Sequence, residues 1–308
     1  MRTLVRPPAL HPGAQIYIAS PASAPEPERL DRGLKELARL GYLTARHTGP
    51  TAAEGYFSRP LDDRMDELQT ALGRPEWRAI FCSRGGYGSN YLLDRLDSQR
   101  STPPKILLGY SDITSLEIFL WQKHGWVTFY GPMVAAGFDA GAGVGYDADS
   151  FARAVAETRS GWSVHLQAEA LVAGEAEGVL LGGCLTLVEA TLGTPWELDT
   201  DGAILVLEDR AVKAYQLDRM LMHLRQAGKF AGLRGIVLGE FPDSPPVPGA
   251  PGLRDVSRRI LGELGVPVVW GAPVGHTPRP MLTLPLGVRA RLRAAPAELD
   301  ILEPAVTA

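Results

Sequence analysis

Ser111 lies in Lys105-Ile-Leu-Leu-Gly-Tyr-Ser-Asp-Ile-Thr-Ser-Leu116, where an apolar strand runs into Gly109-Tyr110-Ser111 and a helix begins at once. A serine at such a strand-to-helix turn projects its hydroxyl above the sheet edge. It sits beside the unpaired N–H groups of the first helical turn, which can receive an oxyanion. Ile113 takes the place of the second glycine of a G-x-S-x-G elbow. Taken alone, the segment reads as a helix cap at Ser111 or Asp112.

A second candidate is Ser83-Arg-Gly-Gly-Tyr-Gly-Ser89. Gly85, Gly86 and Gly88 let the backbone approach a ligand and turn its N–H groups inward. Spacing and position both differ from the G-x-G-x-x-G of a dinucleotide loop, so nucleotide binding is a weak reading and an ordinary tight turn competes with it. Both this loop and Ser111 fall at carboxyl ends of strands, the edge where open α/β sheets bind ligands. Glu208 directly follows the strand Ala203 to Leu207, where a solvated turn would also suit a carboxylate. His276 sits in Val274-Gly-His-Thr-Pro278, an unusual setting for a core histidine. The remaining histidines, His11, His47, His124, His165 and His223, lie in polar, irregular or helical stretches, and no pair has metal-ligand spacing. Ser111, Glu208 and His276 together supply a nucleophile, an orienting acid and a base, a set recognised by geometry rather than chain order.

These residues need elements to hold them. Strand signals appear at Gln15 to Ala19, Arg78 to Cys82, Lys105 to Leu108 and Val127 to Tyr130. They alternate with helical periodicity over Leu30 to Ala38 (closed by Gly41), Leu61 to Leu72 and Thr114 to His124, which predicts a mostly parallel, helix-covered sheet. Residues 136–178 are rich in Gly, Ala and Asp, with a modest helix near Phe151 to Glu157. The second half predicts a helix opened by Gly182-Gly183 and strands at Ala203 to Leu207, Gly235 to Leu238 and Val266 to Trp270. Helices carry Leu217 to Leu224 and Arg258 to Leu264, and the tail reads as antiparallel strands at Leu282 to Leu286, Val288 to Leu292 and Glu298 to Leu302. The expected division is a domain over 1–136, a connecting segment over 137–174 and a domain over 175–308.

Composition limits the alternatives. The 34 glycines and 25 prolines among 308 residues stay below a low-complexity composition, so they indicate shaped loops rather than disorder. A net charge of −4 lacks the basic excess of a nucleic-acid binder. Cys82 and Cys184 form no CxxC pair, which suits a reducing compartment. No apolar run reaches the length of a signal core or membrane span, so the expectation is a cytoplasmic protein without membrane association.

At Ser83-Arg-Gly-Gly-Tyr-Gly, Gly109-Tyr-Ser-Asp-Ile-Thr, Gly182-Gly-Cys-Leu-Thr-Leu, Gly193-Thr-Pro, Leu207-Glu-Asp, Tyr215-Gln-Leu-Asp-Arg-Met-Leu, Gly275-His and Leu284-Pro-Leu-Gly287 the chain resembles the LD-carboxypeptidases, serine peptidases that include the microcin C immunity proteins. The resemblance implies an α/β protein with an N-terminal flavodoxin-like, mostly parallel sheet domain and a smaller C-terminal β-rich domain. It implies a Ser111, His276, Glu208 triad and an oxyanion hole from backbone N–H groups near Gly85, Gly86 and Asp112. It also implies no cofactor, a homodimer, and cleavage of terminal D-Ala from a murein tetrapeptide in cell-wall recycling. Cys184 stands where the family commonly has Asn, and Gly-His-Thr-Pro-Arg-Pro replaces a Gly- and Asn-containing stretch; both departures bear on the substrate pocket. Arg84 is the cation nearest the glycine motif, with a fork that suits the substrate carboxylate or a bracing salt bridge. Trp162, Trp196 and Arg279 are candidate wall residues, with packing the plainer role for the tryptophans. The alternatives are a microcin-immunity-like peptidase acting on an aminoacyl-adenylate-type conjugate, with one of those tryptophans as an adenine clamp, and a non-catalytic two-lobed binder of small ligands. An α/β-hydrolase fits the order of the three residues but not the missing elbow glycine.

Overall fold

A computed structural model describes residues 3–47, 53–96, 102–246 and 248–308 of the chain. In chain order the elements begin with β1 (Gln15–Ala19), α1 (Pro27–Arg39), β2 (Leu43–Arg46), α2 (Leu61–Gly73), β3 (Ala79–Cys82), β4 (Ile106–Gly109), α3 (Thr114–His124) and β5 (Thr128–Tyr130). They continue with α4 (Ala148–Ala156), β6 (Trp162–His165), β7 (Glu169–Val172), β8 (Glu175–Cys184), α5 (Leu185–Ala190), β9 (Ala203–Glu208), α6 (Ala214–Gln226) and β10 (Gly235–Gly239). The last are α7 (Leu253–Leu261), β11 (Val268–Ala272), β12 (Leu284–Leu286), β13 (Arg289–Ala294) and β14 (Ala297–Ile301). The chain divides into two compact units, one of residues 1–158, 279–285 and 305–308, the other of 159–278 and 286–304.

The first unit is built on a six-stranded sheet of order β12-β5-β4-β3-β1-β2. The pairs β1/β2, β1/β3, β3/β4 and β4/β5 are all parallel. Strands β3 and β4 are buried throughout, as unbroken apolar runs must be when helices cover both faces of a sheet. The order β2-β1-β3-β4-β5 is that of flavodoxin-like sheets, whose direction reverses between β1 and β3 and opens a crevice at the carboxyl edge. The loops following β1, β3 and β4 therefore emerge together at one edge. Helix α3 is buried continuously from Thr114 to Leu120, so it lies within the unit rather than on its surface. In α1, a side chain at Gly33 would meet the Val134 carbonyl at 1.9 Å, a contact that only glycine permits.

The second unit carries an eight-stranded sheet, β6-β14-β13-β8-β9-β10-β11-β7. Its centre, β8 to β11, is parallel. Antiparallel partners flank it, β7 on one side and β13, β14 and β6 on the other. This is the smaller, β-rich α/β unit that the sequence leads one to expect.

The structure departs from the sequence reading in three places. Gly182 and Gly183 do not open a helix: they close β8, with φ of 125° and 136°, and α5 starts only at Leu185. A Cβ at Gly182 would sit 2.0 Å from the Val206 carbonyl oxygen, so close strand packing is what selects glycine there. Residues 137–174, expected to be a connecting segment with a helix near Phe151 to Glu157, hold the strands β6 and β7 besides α4. The segment expected at Leu282 to Leu286 forms β12 in the first sheet, apart from the β13/β14 hairpin.

Candidate functional site

In the first unit, the turn after β4 places Ser111 at φ 63°, a left-handed conformation that is costly for a residue with a Cβ. Gly109 makes the turn possible, because a Cβ there would press on the Ile113 side chain at 2.8 Å. The Ser111 N–H faces the Tyr130 hydroxyl at 3.4 Å. Neither Ser111 nor Asp112 caps the helix, which corrects the simpler reading of this segment. Asp112 is buried and turns its carboxylate to the glycine loop, accepting the Ser89 N–H at 2.8 Å, while the Ser89 hydroxyl donates to the Asp112 carbonyl at 2.5 Å. Burial raises the Asp112 carboxyl above its ordinary range, and the hydrogen bonds from Ser89 and Gly88 oppose that rise.

The glycine loop is held as a shaped object. Ser23 donates its N–H to the Gly85 carbonyl at 3.2 Å and accepts the Tyr87 N–H on its hydroxyl at 3.2 Å. A trans peptide points its C=O and N–H in opposite directions, so the Gly86 N–H is turned away from Ser23. Buried Arg64, which sequence reading did not single out, donates to the carbonyls of Pro21 at 2.7 Å, Gly88 at 2.8 Å and Arg59 at 3.1 Å. Its signal in the sequence was only a charged residue on the apolar face of α2. A Cβ at Gly85 would lie 3.1 Å from the Ser111 Cβ and 3.3 Å from its Oγ, so the loop backbone abuts the serine side chain directly. Arg84 is exposed and donates Nη1 to the Ala24 carbonyl at 3.1 Å, a backbone brace in place of the salt bridge weighed above.

In the second unit, Glu208 ends β9 with no exposed surface. One carboxylate oxygen, Oε2, accepts both the His276 backbone N–H at 2.8 Å and its Nδ1–H at 2.9 Å. A carboxylate only accepts hydrogen bonds, so Nδ1 is the donor, and in the neutral ring Nε2 then has the lone pair that a base needs. The slot that admits Glu208 is made by glycine: a Cβ at Gly275 would fall 2.2 Å from Glu208 Cδ, and one at Gly239 2.6 Å from its Cβ. Next along the chain, Asp209 accepts the Thr186 N–H at 2.9 Å and hydroxyl at 2.6 Å, tying the start of α5 to the end of β9. The Thr277 hydroxyl donates to Glu240, a contact that steadies the histidine loop and that spacing alone does not reveal. Cys184 is buried opposite Glu208 in register, and burial together with the neighbouring carboxylates pushes its thiol well up, away from the thiolate form in which a cysteine reacts. Trp162 is buried in β6 and packs as a core residue. Trp196 and Arg279 are partly buried.

Known proteins resemble this chain over nearly its whole length. The profile of the LD-carboxypeptidase N-terminal domain matches residues 16–131, and that of the LD-carboxypeptidase C-terminal domain matches 177–292. A Bacillus subtilis (strain 168) protein named "Probable murein peptide carboxypeptidase" is 34% identical over 294 residues, covering 94% of this chain and 92% of its own. Among solved structures, the microcin C7 self immunity protein MccF in complex with aspartyl sulfamoyl adenosine superposes with a TM-score of 0.90 at 25% identity, over 98% of this chain and 100% of its own. The muramoyltetrapeptide carboxypeptidase from Oxalobacter formigenes gives 0.84 at 28% identity, over 96% and 100%.

Proposed function

This chain belongs to the LD-carboxypeptidase family, and from that premise we propose that it is a serine carboxypeptidase releasing the terminal D-Ala of a murein tetrapeptide. The observation that carries the reading is the Glu208–His276 pair, in which one buried oxygen fixes both the backbone and the ring of the histidine. His276 Nε2 takes the proton of the Ser111 hydroxyl as Oγ attacks the scissile carbonyl. The oxyanion is received by backbone N–H groups, assigned to Gly86 and to Asp112 just after the serine, with Gly85 setting the approach. The imidazolium returns its proton to the leaving amine, D-Ala departs, and an ester links the peptide to Ser111. Water, deprotonated by His276, then hydrolyses that ester. Arg84, anchored by one N–H of its fork, is assigned to the substrate's terminal carboxylate. Acting on cytoplasmic recycled murein peptides as a homodimer completes the reading.

The test is D-Ala release from murein tetrapeptide by the wild type and by Ser111→Ala. The wild type releases D-Ala and Ser111→Ala falls to background; unchanged turnover in Ser111→Ala overturns the mechanism. The likeness to MccF supports the second reading, an aminoacyl-adenylate-type conjugate as substrate. With Trp162 in the core, an adenine clamp falls to Trp196. Hydrolysis of an aspartyl sulfamoyl adenosine probe without D-Ala release would favour that reading.

A further inference from the structure

A cavity of about 190 Å³ lies at the carboxyl ends of β1 and β2 in the first unit, and none of Ser111, Glu208, His276 or the glycine loop lines it. Its lining includes apolar Ile18 and Leu30, the exposed carboxylate of Asp31, and the polar group Ser20, Arg59 and Glu67. Arg59 and Glu67 are only 3% and 7% exposed, so both are charged groups withdrawn from bulk water. The polar group is held in place before any ligand arrives. Ser20 donates its N–H to Glu67 Oε2 at 3.1 Å, accepts the Ser58 hydroxyl on its carbonyl at 2.6 Å, and its hydroxyl meets that of Ser83 at 2.7 Å. Glu67 is thus well supplied, with Arg59 Nη2 against the same oxygen and the Tyr17 hydroxyl 3.5 Å from the other. Arg59 is not. A guanidinium has five N–H donors, yet among the described residues this one pairs with Glu67 alone, and its buried Nη2 makes no well-formed hydrogen bond there.

A buried cation with unfilled donors is costly unless something supplies acceptors. We propose that this cavity binds a short aliphatic amino acid, with its carboxylate on the Arg59 fork, its ammonium toward Asp31 and its side chain against Ile18 and Leu30. The site goes beyond the peptidase reading and does not rest on it. The planar fork of an arginine takes both oxygens of a carboxylate, a stronger contact than a hydrogen bond between neutral groups. The charged lining is mixed, Arg46 and Arg59 against Asp31 and Glu67, which matches a zwitterion better than a phosphate dianion. Sites for drug-sized ligands run to about 300–1,000 Å³, so the smaller volume here suits one amino acid and not a peptide. Its place fits as well, since open α/β sheets bind ligands at the carboxyl edge of their strands.

The experiment is calorimetric titration of the full chain with L-valine, D-alanine, acetate, n-propylamine and inorganic phosphate. At least one of the two amino acids is expected to bind the wild type at one per chain. Acetate and n-propylamine each keep only one of the two charged contacts and should bind at least about tenfold more weakly. Arg59→Met/Glu67→Met replaces the buried pair by apolar groups, a change that folds often tolerate, and should abolish binding. Asp31→Asn, at an exposed position, should weaken it by about tenfold, and carries the test alone if the double variant does not fold. No binding of either amino acid overturns the proposal, as does acetate or phosphate bound as tightly as the amino acid, which makes the cavity a plain anion site. Amino-acid affinity unchanged in either variant places the ligand elsewhere, the catalytic site included, and also overturns it. No turnover is measured, so failure of the proposed peptidase reaction leaves this result untouched, and the reverse holds too.

Discussion

At the scale of single residues, the proposed chemistry depends on how backbone geometry aims three side chains. Ser111 is held at a positive φ by its turn, and Glu208 reaches His276 only because Gly239 and Gly275 leave room. Glu208→Gln keeps the size but adds a donor, so the Nδ1 tautomer is no longer enforced. We expect kcat to fall by about 10³–10⁴-fold with KM little changed, read from D-Ala release. Gly85→Ala brings a methyl to 3.1 Å from Ser111 Cβ, tighter than ordinary contact. Its kcat should fall by about 10–100-fold through displacement of the serine, while the thermal midpoint stays within a few degrees of wild type. The residue types at 111, 208 and 276 and their places at strand ends were legible in the sequence. The positive φ of Ser111 was not, since it is set by a single tight turn; nor were the glycine slot and the closeness of Glu208 to His276, because these come from packing between segments 68 residues apart. Arg64 escaped for the same reason, since its partners Pro21 and Gly88 come from distant segments.

At the scale of elements, α3 contains a cost that catalysis does not use. Glu117 is fully buried, and both of its carboxylate oxygens lack a hydrogen-bond partner among the described residues. Burial pushes its carboxyl well above the ordinary range, which favours its neutral form in the folded protein. The unfolded chain releases that proton near pH 4, so the stability linked to the neutral form is fully present below that pH and is lost as pH rises toward the folded value. Glu117→Leu removes the unpaired group and should stabilise the protein by about 1–3 kcal/mol at neutral pH. Denaturant unfolding at pH 4 and pH 8 checks this, and the gap between variant and wild type should be wider at pH 8. Elements with unbroken apolar runs, β3, β4, β9 and β10, were readable from sequence because burial on both faces leaves that pattern. The edge strands β6 and β7 were not, since they are short and lie in a stretch whose glycines and aspartates resemble a linker. Gly182-Gly183 misled in the same way, as a breaker signal produced by close strand approach.

At the scale of the whole molecule, the sequence made two α/β units legible through its alternation of strands and helices, but not the return of the chain at 279–285 to the first. A three-residue strand such as β12 carries too little local signal to reveal which sheet it joins. On the proposed mechanism the first unit supplies the nucleophile and the second its base, so the reactivity of Ser111 must depend on His276. The most direct test is mass spectrometry of the protein after treatment with a fluorophosphonate, which labels activated serines. We predict a single adduct on Ser111, absent in Ser111→Ala and formed about 10²–10⁴-fold more slowly in His276→Ala. Labelling at another residue, or at Ser111 with a rate indifferent to His276, would contradict the account.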